Sequence, residues 1–182
     1  MLFRSGKKTI IVGLDLRNPK IFQDFNLSNE KGVSTYLIGQ DKLQDIIQET
    51  SFENLSVIPA GPVPPNPSEL IALDKTEVLL KTLKESYDYI IVDTSPIGFV
   101  SDTFHLASLA DACLLIVRPG HTLKDMFEIT LNEIKTSGMK SVSLVLNDMP
   151  LDSKHYGYGE KKYGYTDDKK RSKKQSFMSK NN

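Results

Sequence analysis

Three stretches of the chain end an apolar run in residues able to handle a cation or a phosphate. "TIIVGLDLRNP" (9–19) closes on Asp15 and Arg17, "YDYIIVDTSP" (87–96) on Asp93, and "SVSLVLN" (141–147) on Asn147. Ligands of open α/β sheets bind outside the carboxyl ends of the strands, where these residues fall. If the strands carrying Asp15 and Asp93 are neighbours, about 4.8 Å apart, the two carboxylates face one mouth. Such a pair suits a magnesium ion that keeps several waters and also touches phosphate. Arg17 adds a planar fork of donors for phosphate oxygens. An Asp at a strand end also serves as a helix cap or turn residue, because its side chain accepts a nearby backbone N–H. The apolar-run-then-Asp form of 87–96 sets Asp93 apart, since a Walker B aspartate is presented in this way.

Other chemistries find little support. His105, His121 and His155 are isolated, without metal-ligand spacing, and no Gly-x-Ser-x-Gly or Cys-His nucleophile arrangement occurs. "SGKKT" (5–9) is only superficially a phosphate-binding loop. Its second Lys stands where Ser or Thr should meet magnesium, and the segment precedes a strand instead of opening a helix.

The elements that must position these residues follow from periodicity. Five near-continuous apolar runs, 9–14, 55–60, 87–93, 112–117 and 141–147, read as strands covered on both faces of a parallel sheet. Helical patterns lie between them: 43–50; 73–86, with Val78, Leu79 and Leu83 on one side; 101–110, opening on a Ser/Asp cap pair; and 122 to a stop at Gly138. Strands alternating with helices predict a doubly wound α/β fold with right-handed crossovers.

The 182 residues suit one domain, 1–150, and a tail, 151–182. The net charge of zero hides an asymmetry: from Leu151 onward nine basic residues face four acidic ones, so the tail carries +5 and the body −5. The tail is Gly-, Lys-, Tyr- and Ser-rich and is predicted to be disordered, since it cannot bury enough area to offset its ordering entropy. Within it "HYGYGEKKYGY" (155–165) gathers Tyr156, Tyr158, Tyr163 and Tyr165, four of the seven tyrosines of the chain, with no aliphatic residue to pack against. Cys113 is the single cysteine and reads as a small core hydrophobe, consistent with a reducing compartment. No apolar run approaches the roughly 20 residues that span a bilayer, and no secretory signal is recognised.

Three motifs together resemble one family, the bacterial tyrosine kinases of capsular and exopolysaccharide synthesis. "IIVGLDLRNP" resembles its Walker A′ motif, "YDYIIVDTSP" its Walker B motif, and "AGPVPPNPSEL" (60–70) its loop-and-helix signature. The tyrosine cluster of the tail is similar to the segment these kinases phosphorylate on themselves. The resemblance implies a deviant P-loop NTPase fold, mainly parallel and akin to MinD and ParA, that uses ATP and Mg2+. By position it makes Asp93 the Walker B metal residue and Asp15 the second Walker A′ aspartate, near metal and γ-phosphate. Arg17 completes that motif. Asn147 matches an adenine-reading asparagine, and Arg118 of "IVRPG" lies in a loop the family also carries. Tyr156, Tyr158, Tyr163 and Tyr165 become the autophosphorylation sites.

Two departures from the family pattern stand out. Gly13 occupies the place of the first Walker A′ aspartate, the residue expected to help deprotonate the attacking tyrosine, so that either Asp15 takes over the base role or activity is low. The Walker A loop, with its backbone cradle, Lys and Ser/Thr, is absent from the sequence. Phosphoryl transfer depends mostly on positioning and charge stabilisation. The 182 residues alone are therefore expected not to hydrolyse ATP and to be the C-terminal part of a longer kinase. The implied partners are other copies of the chain, the tail of one subunit visiting its neighbour's active site, and a membrane-embedded polysaccharide co-polymerase region or adaptor. The implied location is the cytoplasmic face of the cell membrane, and nucleic acid is not an expected partner. Two other classes stay open: a MinD- or ParA-like positioning ATPase, whose "KKRSKK" tail segment (169–174) would serve an anionic surface, and a catalytically dead regulatory module, which Gly13 keeps in view.

Overall fold

The structure is a computed structural model that describes residues 6–97, 102–139 and 141–149. The tail and its four tyrosines lie outside the described residues. The run 9–14 forms β1 (Thr9–Gly13), the hub of a four-stranded sheet. β3 (Leu55–Ile58) pairs with one edge of β1 and β4 (Tyr89–Asp93) with the other, both parallel. β2 (Gln48–Glu49) adds an antiparallel strand outside β3, so the order is β2-β3-β1-β4. β5 (Cys113–Val117) and β6 (Val142–Leu146) pair in parallel as a separate two-stranded sheet. All five predicted strands are present, and the parallel pairing of β1 with β4 is the neighbour relation on which a shared mouth depends.

Among the described residues seven helices connect them: α1 (Ile21–Asp24), α2 (Val33–Leu37), α3 (Leu43–Ile46), α4 (Pro67–Ile71), α5 (Asp74–Lys84), α6 (Asp102–Ser108) and α7 (Lys124–Ser137). α4 opens with Pro67 in its first turn, where a missing N–H costs nothing. α5 carries Asp74 and Glu77 in its first turn and Lys81 and Lys84 in its last, complementing the helix dipole. It buries Thr76, Leu79, Leu80 and Leu83, while Val78 stays 52 % exposed. The predicted face was therefore rotated: Leu80, not Val78, shares the stripe of Leu79 and Leu83. α7 ends where expected, on Gly138 in the left-handed region at φ +71°.

Two expectations are corrected. The pattern 43–50 is helical only over Leu43–Ile46. Ile47 turns extended, and the Gln48 amide brackets the backbone of Ser28, accepting from its N–H at 3.2 Å and donating to its C=O at 2.8 Å, so Gln48 and Glu49 become an edge strand. The prediction that every strand is covered on both faces holds for β1 and β3, whose Ile10, Val12, Val57 and Ile58 are fully buried. It fails for the others: Ile91 on β4, Leu114 and Ile116 on β5 and Leu144 and Leu146 on β6 are 43–66 % exposed. Among the described residues no strand pairs with the outer edge of β4, and no ladder joins β4 to β5.

Candidate functional site

The parallel register places Gly13 opposite Asp93, and the Leu14 N–H donates to the Asp93 C=O at 2.7 Å. Asp15 follows directly, so both carboxylates lie at the carboxyl end of adjacent strands. The loop after β1 folds onto Asp15: its Oδ1 accepts from the backbone N–H of Arg17 at 3.2 Å and of Asn18 at 3.1 Å. The Ser95 hydroxyl, from the loop after β4, donates to the same oxygen at 2.7 Å. Asp15 Oδ2 has no hydrogen-bond partner among the described residues, which leaves it available to a cation. The turn-residue role thus takes Oδ1 and leaves Oδ2 open among the described residues.

Asp93 retains accessible surface at its strand end. Partial desolvation by the surrounding protein, then the negative charges of Asp15 and Asp24, hold its carboxyl pKa above the ordinary value. Its local field is that of a site short of positive charge. Asp24, on α1, is a member of this acidic neighbourhood that sequence reasoning missed. α1 has four residues and buries none of them, so no periodicity marked it.

Arg17 is exposed but anchored. Its Nη2 donates to Ser68 Oγ of α4 at 2.6 Å and to Asp102 Oδ2 of α6 at 3.2 Å. The Asp102 side chain is only 6 % exposed, so its charge is held by an arginine that itself reaches solvent. Asp102 is thereby occupied across the fold instead of capping its own helix. The first turn of α6 also holds the second mouth loop, since the Thr103 hydroxyl donates to the Ser95 C=O at 2.9 Å. A cleft of about 360 Å³ lined by Ser68, Glu69, Ile71, Ala72, Asp102 and His105 adjoins these partners of Arg17; neither mouth carboxylate lines it.

The remaining candidates sit at the end of the second sheet. Arg118 follows β5 and Asn147 follows β6, joined by a backbone bond from the Asn147 N–H to the Val117 C=O at 2.9 Å. The Arg118 guanidinium pairs with Asp148 at 2.6 Å, and Asn147 Oδ1 accepts from the Asp148 N–H at 2.9 Å. The structure therefore brings Asp15 and Asp93 together, with Arg17 tied to Asp15 through its backbone N–H while its guanidinium lies on Ser68 and Asp102, and brings Arg118 and Asn147 together. Gly6, Lys7 and Lys8 lie at the other end of the strands: Lys7 pairs with Asp88, just before β4, at 3.5 Å, and the Lys8 N–H donates to the same carboxylate at 2.9 Å. Cys113 is half-buried, and burial pushes its thiol pKa up. No helix among the described residues is long and apolar enough to cross a membrane.

Among the described residues no three His, Cys, Asp or Glu side chains converge as a ready cage for a metal. Two carboxylates with an unengaged oxygen fit instead an ion that keeps most of its water, which is the habit of Mg2+.

Residues 1–137 match the AAA domain family. CapB of Staphylococcus aureus is 38 % identical over 160 residues, which is 86 % of this chain and 70 % of that protein. The tyrosine-protein kinase CpsD of Streptococcus agalactiae is 35 % identical over 172 residues, 93 % of this chain and 74 % of that one. The chain belongs to the bacterial tyrosine-protein kinase family. Among solved structures, the kinase domain of Escherichia coli tyrosine kinase ETK superposes with a TM-score of 0.77 at 33 % identity. That match covers 88 % of this chain, which spans 63 % of the ETK domain. The fold extends further, to MinD of Pyrococcus horikoshii, solved with Mg-ADP, at a TM-score of 0.63 and 21 % identity. The fold is thus the mixed, mainly parallel P-loop ATPase architecture that the strand pattern and motifs predicted.

Proposed function

We propose that this chain carries the metal-binding mouth of an ATP-dependent protein-tyrosine autokinase that regulates capsular or exopolysaccharide assembly and modifies Tyr156, Tyr158, Tyr163 and Tyr165 of its own tail. The observation that carries the reading is the placement of Asp15 and Asp93 on adjacent strand ends, with Asp15 Oδ1 saturated and Oδ2 unengaged among the described residues. Mg2+ bound there would supply charge neutralisation at the β- and γ-phosphates. Asp93 and Asp15 Oδ2 would hold it, and the remaining donors of Arg17 would face phosphate oxygens. Arg118 and Asn147, side by side, would receive the base of the nucleotide. With glycine at position 13, β1 offers no free carboxylate for the tyrosine proton, because Asp15 Oδ1 holds three donors and Oδ2 would hold the metal. The packing bears on this: a Cβ at Gly13 would lie 3.0 Å from the Ala60 nitrogen and 3.2 Å from Ile21 Cγ2, so a side chain there is crowded unless those neighbours give by a few tenths of an ångström.

The bare apolar residues of β4, β5 and β6 and the edge of β4, which no strand among the described residues pairs, support the reading that a strand, phosphate loop and helix outside these 182 residues complete the sheet. The 182 residues alone then bind metal and nucleotide weakly and turn over no ATP. The relatives at 33–38 % identity favour a kinase over a positioning ATPase, whose representative is similar at 21 %. Partners would be further copies of the chain and a membrane-embedded co-polymerase region at the cytoplasmic face. The test joins a Gly-x-Gly-Lys-Ser/Thr-bearing strand, loop and helix to the amino end of the chain. Incubation with Mg-ATP is expected to yield phosphotyrosine confined to 156–165 by mass spectrometry, and Asp93→Asn to abolish it. Phosphotyrosine that survives Asp93→Asn, or none in the joined protein, overturns the reading.

A further inference from the structure

The Ser95 hydroxyl is a buried donor with no part in the motif logic that singled out Asp15 and Asp93. Ser95 is 7 % exposed. Its Oγ–H to Asp15 Oδ1, at 2.7 Å, is the shortest of the three bonds on that oxygen and the one that comes from another loop. The two backbone donors would bind Oδ1 in any Asx-type turn and leave the carboxylate free to rotate about its Cβ–Cγ bond. A third donor from the loop after β4 fixes which oxygen faces the protein and which faces outward. Ser95 is itself held: its C=O accepts from Thr103, the neighbour of Asp102, which grips Arg17. The first turn of α6 therefore clasps both mouth loops, one through Thr103 and Ser95 and one through Asp102 and Arg17.

We infer that Ser95 is a positioning residue for the cation site, holding Asp15 in the rotamer that presents Oδ2 as the single oxygen available to the metal. The inference deepens the proposed kinase reading and rests on its metal site. Without the hydroxyl, Oδ1 loses its cross-loop bond and the carboxylate samples orientations in which neither oxygen is well placed. A preorganised ligand loses less freedom on binding, so the loss is read as metal affinity and not as a change of fold.

The test uses Mn2+ alone as the probe on the full 182-residue chain, followed by paramagnetic broadening of backbone amides in 15N spectra. In the parent protein the amides of residues 13–18 and 93–95 are expected to broaden together in a saturable way. Ser95→Ala is expected to raise the half-saturating Mn2+ concentration about 5- to 10-fold, with amide positions in β3 and α5 unchanged. Ser95→Thr, which keeps the hydroxyl, is expected to restore the parent value, and Asp15→Asn to remove the saturable phase. Equal half-saturation in Ser95→Ala and the parent overturns the positioning role while leaving the metal site standing. Failure of Thr to rescue, or shifts spread through β3 and α5 in Ser95→Ala, overturns it by showing a general packing role. No saturable broadening in the parent overturns the metal site itself, and the inference with it.

Discussion

Asp93 carries a conflict between stability and function that a single substitution exposes. Its folded pKa is raised, so the folded protein prefers the protonated form. Its favourable contribution is full below the unfolded pKa, near the ordinary aspartate value of about 3.9, and is lost as pH rises through the higher folded pKa. At neutral pH the ionised group opposes folding. Asp93→Asn is therefore expected to raise Tm by about 1–3 °C at pH 7, a modest figure because the group is partly solvated, and the gain should vanish near pH 4. Thermal melts across that range check it, and a loss of stability at pH 7 would contradict the assigned field. Arg17 and Asp102 make the opposite case. Arg17→Ala strands a buried carboxylate and is expected to cost about 1–3 kcal/mol, while removing both partners should recover part of that loss in a double-mutant cycle. Asp15, Arg17 and Asp93 could be named as candidates because each ends a recognisable apolar run. Ser68, Ser95 and Asp102 were not, since their partners lie 51, 80 and 85 residues away in the chain and no local pattern links them.

Among the elements, the ones written in apolar residues were readable and the ones written in polar residues were not. β1 and β4 declare themselves by Ile and Val. β2 consists of Gln48 and Glu49 and exists because of an amide bracket to Ser28 that only tertiary structure supplies. The phase of α5 was misjudged because Val78 and Leu80 are equally apolar, and the side facing β4 decides between them. Two glycines separate close approach from conformational need. Gly32, with φ 176°, is ordinary extended backbone, yet a Cβ there would collide with the Pro59 oxygen and the Gly61 nitrogen. Gly13 offers contacts of 3.0–3.4 Å that a small shift of Ile21 and the Ala60 loop relieves. Gly13→Ala is expected to cost about 1–2 kcal/mol and Gly32→Ala clearly more, about 3 kcal/mol or beyond, by urea unfolding. The reverse order would mean that α2 yields more readily than the strands. Gly13→Asp, which restores the carboxylate of the family pattern, meets the same crowding and is not expected to be a simple gain of a base.

At the scale of the molecule, the exposed Ile91, Leu114, Ile116, Leu144 and Leu146 form strands of core composition without a core around them. Strand edges with such side chains pair and aggregate readily. The purified chain is expected to bind a hydrophobic dye and to grow in mass with concentration by light scattering. Leu114→Lys with Leu144→Lys should reduce both while leaving Asp15 and Asp93 untouched. Unchanged scattering in that variant would place the association elsewhere. These exposed strands are what sequence reading misses in principle: apolar runs report what a strand needs, and whether the need is met depends on chain that is not in the run.

The position of β1 has a consequence for how the protein comes to be made. Thr9 finds its partners at Leu55 and Tyr89, and both emerge from the ribosome after it. At about 5–20 residues per second, the hub strand waits roughly 4–16 s for its second neighbour. Until β3 emerges, about 2–9 s into that wait, Ile10, Ile11 and Val12 have no ladder to join, which is the moment at which a nascent-chain chaperone would have most to hold.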